Sequence, residues 1–316
     1  MKHMKKFVSL MVLAAAFISP AAAQEYVELG YSFKTGEQFE LQQESRSETY
    51  TTVNEVVQRV TRDFNNTIAI EVTDARPDRT VLTFRYKELK FNFNSRNQNI
   101  FVDAKVPNDK EPFQAALKNI LDQPFTVELQ NTGYINKVDG LDKLLDAAAA
   151  AFTSLKKDEQ AAYKKLMKDQ FGTNAFRSWL EQLLVIYPSH GIKTGTQWEE
   201  SVPLRTGLVG RMDLYWNLQT WDSQTAKIGA TGKAKTDKLE LLTLEEGIQA
   251  TAEIEGTMQS NYLINRSSGF PSICVQNLEM NGNYIYKANK AKRIKRDLEV
   301  PVKVVTNASY KIKQLK

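Results

Sequence analysis

The stretch DGLDKLLDAAAAAFTSLKKDEQAAYKKLMKDQFGTNAFRSWLEQLLVIY, Asp139 to Tyr187, decides how this chain is read. Its apolar residues form three sets: Leu141, Leu144, Leu145, Ala148, Ala149 and Phe152; Ala162, Tyr163, Leu166 and Met167; Phe176, Trp179, Leu180, Leu183, Leu184 and Tyr187. Three- and four-residue spacing puts each set on one face of a helix. Such a stripe must be buried against something. The sequence on either side alternates with a period of two, so sheets are the expected partner. Gly172 reads as a break, Thr173 as the N-cap of the third piece, and Pro188 with Gly191 as the end of the block.

Upstream, Phe39 and Leu41 alternate with polar residues, and Val56, Val60, Phe64, Ile68, Ile70 and Val72 share one parity. Asp74 to Asp78 is a turn by composition. Leu82, Phe84 and Tyr86 are followed by Leu89, Phe91 and Phe93. The parity slips between the two sets, which predicts a β-bulge near Lys87-Glu88 that keeps one face buried. A short helix is expected around Phe113 to Leu121, then a hairpin about Asn131-Thr132-Gly133. Downstream, the apolar alternation returns at Met212 to Leu218, Ala226 to Ala230, Ile248 to Ile264, Cys274 to Tyr286 and Val300 to Ile312. Pro301 within the last run predicts an edge strand or a bulge. No helix recurs at crossover spacing, so the strands should be antiparallel.

The expectation is therefore an α+β, β-dominated protein: two antiparallel, curved β-sheet halves, residues 24–138 and 193–316, flanking a helical block at 139–192. Lys34-Thr35-Gly36-Glu37-Gln38-Phe39-Glu40 is matched by Lys193-Thr194-Gly195-Thr196-Gln197-Trp198-Glu199 at the head of the second half. That placement predicts a duplicated β unit.

Residues 1–23 read as a secretory signal peptide, with Lys2, Lys5 and Lys6, an apolar run from Phe7 to Ile18, and Ala21-Ala22-Ala23 as the cleavage site. The expected location is the periplasm or outside the cell, with no transmembrane segment after cleavage. The chain has 42 basic and 37 acidic residues. Losing three lysines leaves 39 against 37, a balance of +2 that gives no support to a nucleic-acid partner. The lone Cys274 excludes an internal disulfide framework, and its strand parity predicts burial.

Chemistry is sparse. Apart from His3, His190 is the one histidine, and no zinc, nucleophile-elbow or phosphate-loop pattern occurs. No catalytic residue, metal ligand or cofactor site is assigned, and the expectation is a protein that is not an enzyme. Phe84, Phe91, Phe93, Trp216, Met258 and Tyr262 are the candidate lining of an apolar site between sheet and helices. Lys290, Lys292, Arg293, Lys295 and Arg296 are the candidate contact to an anionic surface.

The segment Phe171-Gly172 through Tyr187-Pro188, followed by Gly191-Ile192-Lys193-Thr194-Gly195-Thr196-Gln197-Trp198, resembles an uncharacterised domain-of-unknown-function family of exported proteins from Bacteroidetes-type bacteria. Asn265-Arg266-Ser267-Ser268-Gly269 is similar to that family's Asp-x-x-x-Gly turn, with Asn in place of the acid. The resemblance implies compartment and architecture and brings no catalytic residues. A looser likeness is to periplasmic lipoprotein-carrier folds. Three functions follow as expectations: a binder of a lipid or other amphipathic ligand; a solid-cored envelope module contacting protein or glycan; and, least favoured, a carboxylate-dependent hydrolase.

Overall fold

The computed structural model of the chain describes residues 26–96, 98–106, 110–205, 208–244 and 247–315. The signal sequence read at residues 1–23 lies outside the described residues. Among the described residues thirteen strands form one antiparallel sheet: β1 (Gln38–Val53), β2 (Val56–Ala75), β3 (Arg79–Asn94), β4 (Asn99–Asp103), β5 (Phe125–Gln130), β6 (Ile135–Asp139), β7 (Gln197–Leu204), β8 (Gly210–Trp221), β9 (Thr225–Thr236), β10 (Leu242–Thr243), β11 (Gln249–Asn265), β12 (Pro271–Tyr286) and β13 (Leu298–Gln314). Their order is β6-β5-β3-β2-β1-β13-β12-β11-β9-β8-β7, with β4 beside β3 and β10 beside β11.

This corrects the expected architecture. There is no helical block flanked by two sheets, because β1 and β13 zip together from Phe39–Gln314 to Thr51–Val302 and make one sheet of both halves. The physical reason is that a long strand left at an edge exposes a row of unpaired N–H and C=O groups. Each half ends in such a strand, and pairing the two removes both edges. Pro301 is consequently in a central strand, not an edge strand. It falls one residue beyond the last β1–β13 pair, where a missing N–H breaks no bond to β1.

The bulge predicted at Lys87-Glu88 is present: Thr67 pairs with Glu88 and Ile68 with Tyr86, leaving Lys87 as the extra residue. It keeps Leu82, Phe84, Tyr86, Leu89, Phe91 and Phe93 on one buried face. Lys34–Gly36 and Lys193–Gly195 make the same turn. Gly36 and Gly195 have φ of +92° and +86°, and the N–H groups of Glu37 and Thr196 donate to Lys34 and Lys193 carbonyls at 3.1 and 2.9 Å. The strands that follow differ in setting, since β1 lies mid-sheet and β7 at an edge.

Among the described residues there are four α-helices, α1 (Pro112–Asn119), α2 (Leu141–Ala148), α3 (Lys157–Phe171) and α4 (Thr173–Leu183), with 3-10 turns at Ala149–Ser154 and Lys290–Lys292. Helix α4 starts after an N-cap at Gly172, one residue earlier than the expected Thr173 cap. Asp142 of α2 instead accepts the Thr173 N–H at 2.9 Å. Leu184 to Tyr187, expected as the end of the third helical piece, lie beyond α4, and all four are buried. Tyr31 locks this segment, its hydroxyl donating to the Val185 carbonyl at 3.2 Å and accepting the Val185 N–H at 3.0 Å.

The apolar face of the sheet wraps around α4. On one wing Phe176 meets Phe84 and Phe125 edge-on, at 5.4 and 4.9 Å. At the middle Trp179 lies 6.0 Å from Tyr310. On the other wing the Tyr262 hydroxyl donates to the Gln182 carbonyl at 3.0 Å. The curl brings the sheet edges together, where the Tyr134 hydroxyl, just before β6, donates to the Glu200 carboxylate on β7.

Candidate functional site

The apolar residues singled out in sequence lie on this wrapped face, and all six are buried. They form two groups. Phe91 sits among Phe64, Phe113 and Phe171, with ring centroids 5.1, 5.9 and 5.1 Å away, and stacks on Phe93 at 6.4 Å. Phe84 lies lower on the same strand, against Phe125 and Phe176. On the far wing Trp216 stacks on Trp198 at 6.2 Å and meets Tyr262 at 5.3 Å, while Met258 pairs across the ladder with Gly232. The two groups are not brought together; α4 passes between them, its Phe176 in one and its Gln182 against the other. Their partners are the protein's own rings.

Burial pushes the Tyr187 and Tyr262 hydroxyls well above the ordinary phenol range, so both remain neutral donors. It also pushes up the Cys274 thiol, which favours the unreactive protonated form. Among the described residues no group of three His, Cys, Asp or Glu side chains is placed to hold a metal ion.

The opposite, helix-free face carries an open trough of about 600 Å³. Two rows of outward-pointing residues line it. Asp103, Lys90, Asn65, Glu44, Ser309 and Val275 are successive register partners in one row; Phe101, Asn92, Asp63, Arg46, Asn307 and Asn277 are those in the next. All but Asp103 line the trough directly. The rows cross six adjacent strands, and five spacings of about 4.8 Å make the trough roughly 24 Å long.

Strand alternation explains the lining. Ile100 and Val102 point into the core, which turns Phe101 outward, where its ring is 71% exposed. Ile273 and Val275 point outward from β12 for the same reason, between buried Cys274 and Gln276. On the floor, Asp63 lies 3.5 Å from the Arg46 guanidinium and accepts from the Asn92 amide at 3.3 Å. Its Oδ1 atom is shielded from solvent and has no hydrogen-bond partner. Lys90 pairs with Asp103 at 3.1 Å. Beside the trough, hydrogen bonds from Tyr50, Arg59 and Arg46 lower the Glu48 carboxyl to about 2. Glu48 is thus a fixed anion at neutral pH, suited to holding Arg46 and not to donating a proton. The arrangement offers amides, both charge signs and one bare aromatic face, which together suit a ligand with hydroxyl groups and apolar patches.

Sequence reasoning passed over the trough because its residues are polar and read as a solvated face. The available signal was Phe101, a large ring on the polar parity of the short Asn99–Asp103 strand. The cations Lys290, Lys292, Arg293, Lys295 and Arg296 are exposed on the connection between β12 and β13. They stand at the strand ends, apart from the trough.

No curated protein matches the chain. Among solved structures, one described for lipid–protein interactions in lipovitellin is similar at 10% identity and a TM-score of 0.48, covering 90% of this chain and 26% of the lipovitellin chain. This protein therefore spans about a quarter of that relative's length. An outer membrane channel from Pseudomonas putida F1 matches at 8% identity and a TM-score of 0.25, covering 90% of this chain and 97% of the channel. No helix among the described residues is long and apolar enough to cross a membrane. In sequence, residues 78–271, more than half of the chain, match a family model, and the protein belongs to that family of unknown function, DUF6263.

Proposed function

We propose that this protein is an exported, non-enzymatic binding protein of the cell envelope, and that its ligand is an envelope glycan lying in the trough across β4, β3, β2, β1, β13 and β12. The observation that carries the reading is Phe101, a ring 71% exposed at one end of a trough that also presents amides, charged groups and, at its far end, Val275. A sugar ring is amphipathic in the required way. Its C–H face packs on an aromatic ring, and its hydroxyls exchange hydrogen bonds with Asn65, Asn92, Asn277 and Asn307. A chain of several sugars matches the trough's length. The location rests on the signal sequence, and the absence of catalysis on the sparse chemistry of the chain. An amphipathic ligand was expected between sheet and helices; the rings there already have protein partners, which favours the outer face.

The test is mass spectrometry of the protein purified gently from its own envelope, compared with Phe101→Ala. Wild type should carry glycan masses, and the variant should retain at least about ten-fold less, the loss of one well-placed aromatic contact. Its stability should stay within about 0.5 kcal/mol of wild type because the ring is on the surface. Wild-type protein that repeatedly carries no glycan would refute the proposal.

A further inference from the structure

Three connections lie at one end of the sheet: the β1–β2 and β12–β13 hairpins, and the segment that runs from β9 through β10 to β11. Register fixes this: Val53 faces Val56, Thr51 faces Val302, Tyr286 faces Leu298, and Ala250 faces Tyr286. In the order β2-β1-β13-β12-β11-β9, the β1–β2 turn, the β12–β13 connection and the β9–β11 connection are therefore neighbours. Five strand spacings put them within roughly 24 Å.

Their composition is unusual for loop tips. The β1–β2 turn, with Asn54 and Glu55 at φ of +48° and +66°, presents Val56 and Val57 at 60% and 62% exposure. The β9–β11 connection presents Leu239 and Leu241 at 90% and 57%. Between them the β12–β13 connection carries Lys290, Lys292, Arg293, Lys295 and Arg296, all exposed. Arg293, at φ +59°, ends a 3-10 turn capped by the Asn289 side chain, so the cations ride on an ordered tip. The one acid of this connection, Asp297, is turned onto Lys287 at 3.1 Å and the Ala288 N–H at 2.9 Å. Acids do occur on the adjacent connection, where Asp237 accepts the Leu239 N–H at 3.0 Å and Glu240 is exposed.

We infer that this rim docks the protein on an anionic lipid bilayer. Cations alone would suit any polyanion, and bare leucines alone would suit an apolar partner. Exposed aliphatic side chains on both sides of a basic tip match a bilayer interface, where the former reach the acyl boundary and the latter stay among the headgroups. The site is separate from the trough and does not depend on the glycan reading.

Co-sedimentation of the mature chain with vesicles tests the inference. Wild type should pellet with phosphatidylcholine vesicles containing phosphatidylglycerol, weakly with phosphatidylcholine alone, and less as salt rises. Replacing Arg293, Lys295 and Arg296 by Gln should weaken partitioning about 100-fold, at about five-fold per cation. Leu239→Ser with Leu241→Ser should weaken it about ten-fold or more on the same vesicles. The leucine variant should still bind inorganic polyphosphate as wild type does. Absence of wild-type binding to the anionic vesicles would overturn the inference. So would unchanged vesicle binding by the leucine variant, which would leave only a site for soluble polyanions.

Discussion

Phe91→Ala destabilises the protein by about 3–5 kcal/mol, the cost of emptying a large site in a packed interior. The ring is 1% exposed and is enclosed by Phe64, Phe93, Phe113 and Phe171, contributed by β2, β3, α1 and α3. These neighbours are tied to three different elements besides its own strand, so they cannot all close on the space left behind. A denaturant midpoint that falls sharply, with an unchanged slope, is the expected reading. The alternative is that this face lines a ligand cavity. The ring would then border space already open in the empty protein, and truncating it would cost little stability while changing what binds. Phe101→Ala serves as the contrast, because that residue is 71% exposed and loses little protein packing.

Gly269→Ala is the second large effect, with an expected loss above about 3 kcal/mol from strain at an αL position combined with backbone overlap. Gly269 has φ of +76° in the turn between β11 and β12. An added Cβ would lie 2.2 Å from the Gly30 carbonyl oxygen and 3.0 Å from the Tyr31 Cα. The segment preceding β1 crosses the turn here, and neither backbone has room to withdraw. Ser32 N–H donates to the Ser268 carbonyl at 3.1 Å, and the Tyr187 hydroxyl donates to the Gly269 carbonyl at 2.8 Å. Gly36→Ala isolates the cause. Its φ is similarly positive, at +92°, but an added Cβ meets nothing within 4 Å, so it should cost only about 1 kcal/mol. Equal losses at the two glycines would show that backbone strain alone is at work and that the close approach at Gly30 is not tight.

Several of these features were legible in the sequence because they are local. The slip between Tyr86 and Leu89 announced the Lys87 bulge, since side-chain parity has a period of two and only an inserted residue restores it. The alternation around Cys274 announced a buried thiol. Asn265 to Gly269 read as a turn, and the Asn265 side chain does accept the Ser267 N–H at 2.9 Å. What alternation cannot encode is which strand pairs with which. Thr51 and Val302 are joined only because two otherwise exposed edges meet. Nothing in either strand's own pattern names the other, so alternation alone left open whether the two halves make one sheet or two.

The helical stretch failed at its end for a related reason. Leu183, Leu184 and Tyr187 keep helical spacing, but hydrogen bonding of Val185 to Tyr31, of Ile186 to Trp198 and of Tyr187 to Thr132 holds the segment in another conformation. Tertiary partners outweigh local spacing there. The trough was invisible for the opposite reason. Polar alternation marks a face as wet, and only strand order reveals that Phe101 and Val275 lie on opposite flanks of the same concavity.

The pairing of the first strand with the last is the claim on which the wrapped interior and the outer trough both depend. Ser47 and Thr306 are direct register partners across β1 and β13, and their hydroxyl oxygens lie 2.9 Å apart, so the two side chains point at each other as those of a disulfide must. Cysteines placed there, Ser47→Cys with Thr306→Cys, should oxidise to an intramolecular disulfide in the folded protein, identified by peptide mapping that also finds Cys274 reduced. Two free thiols after mild oxidation of the native double variant would contradict a single continuous sheet.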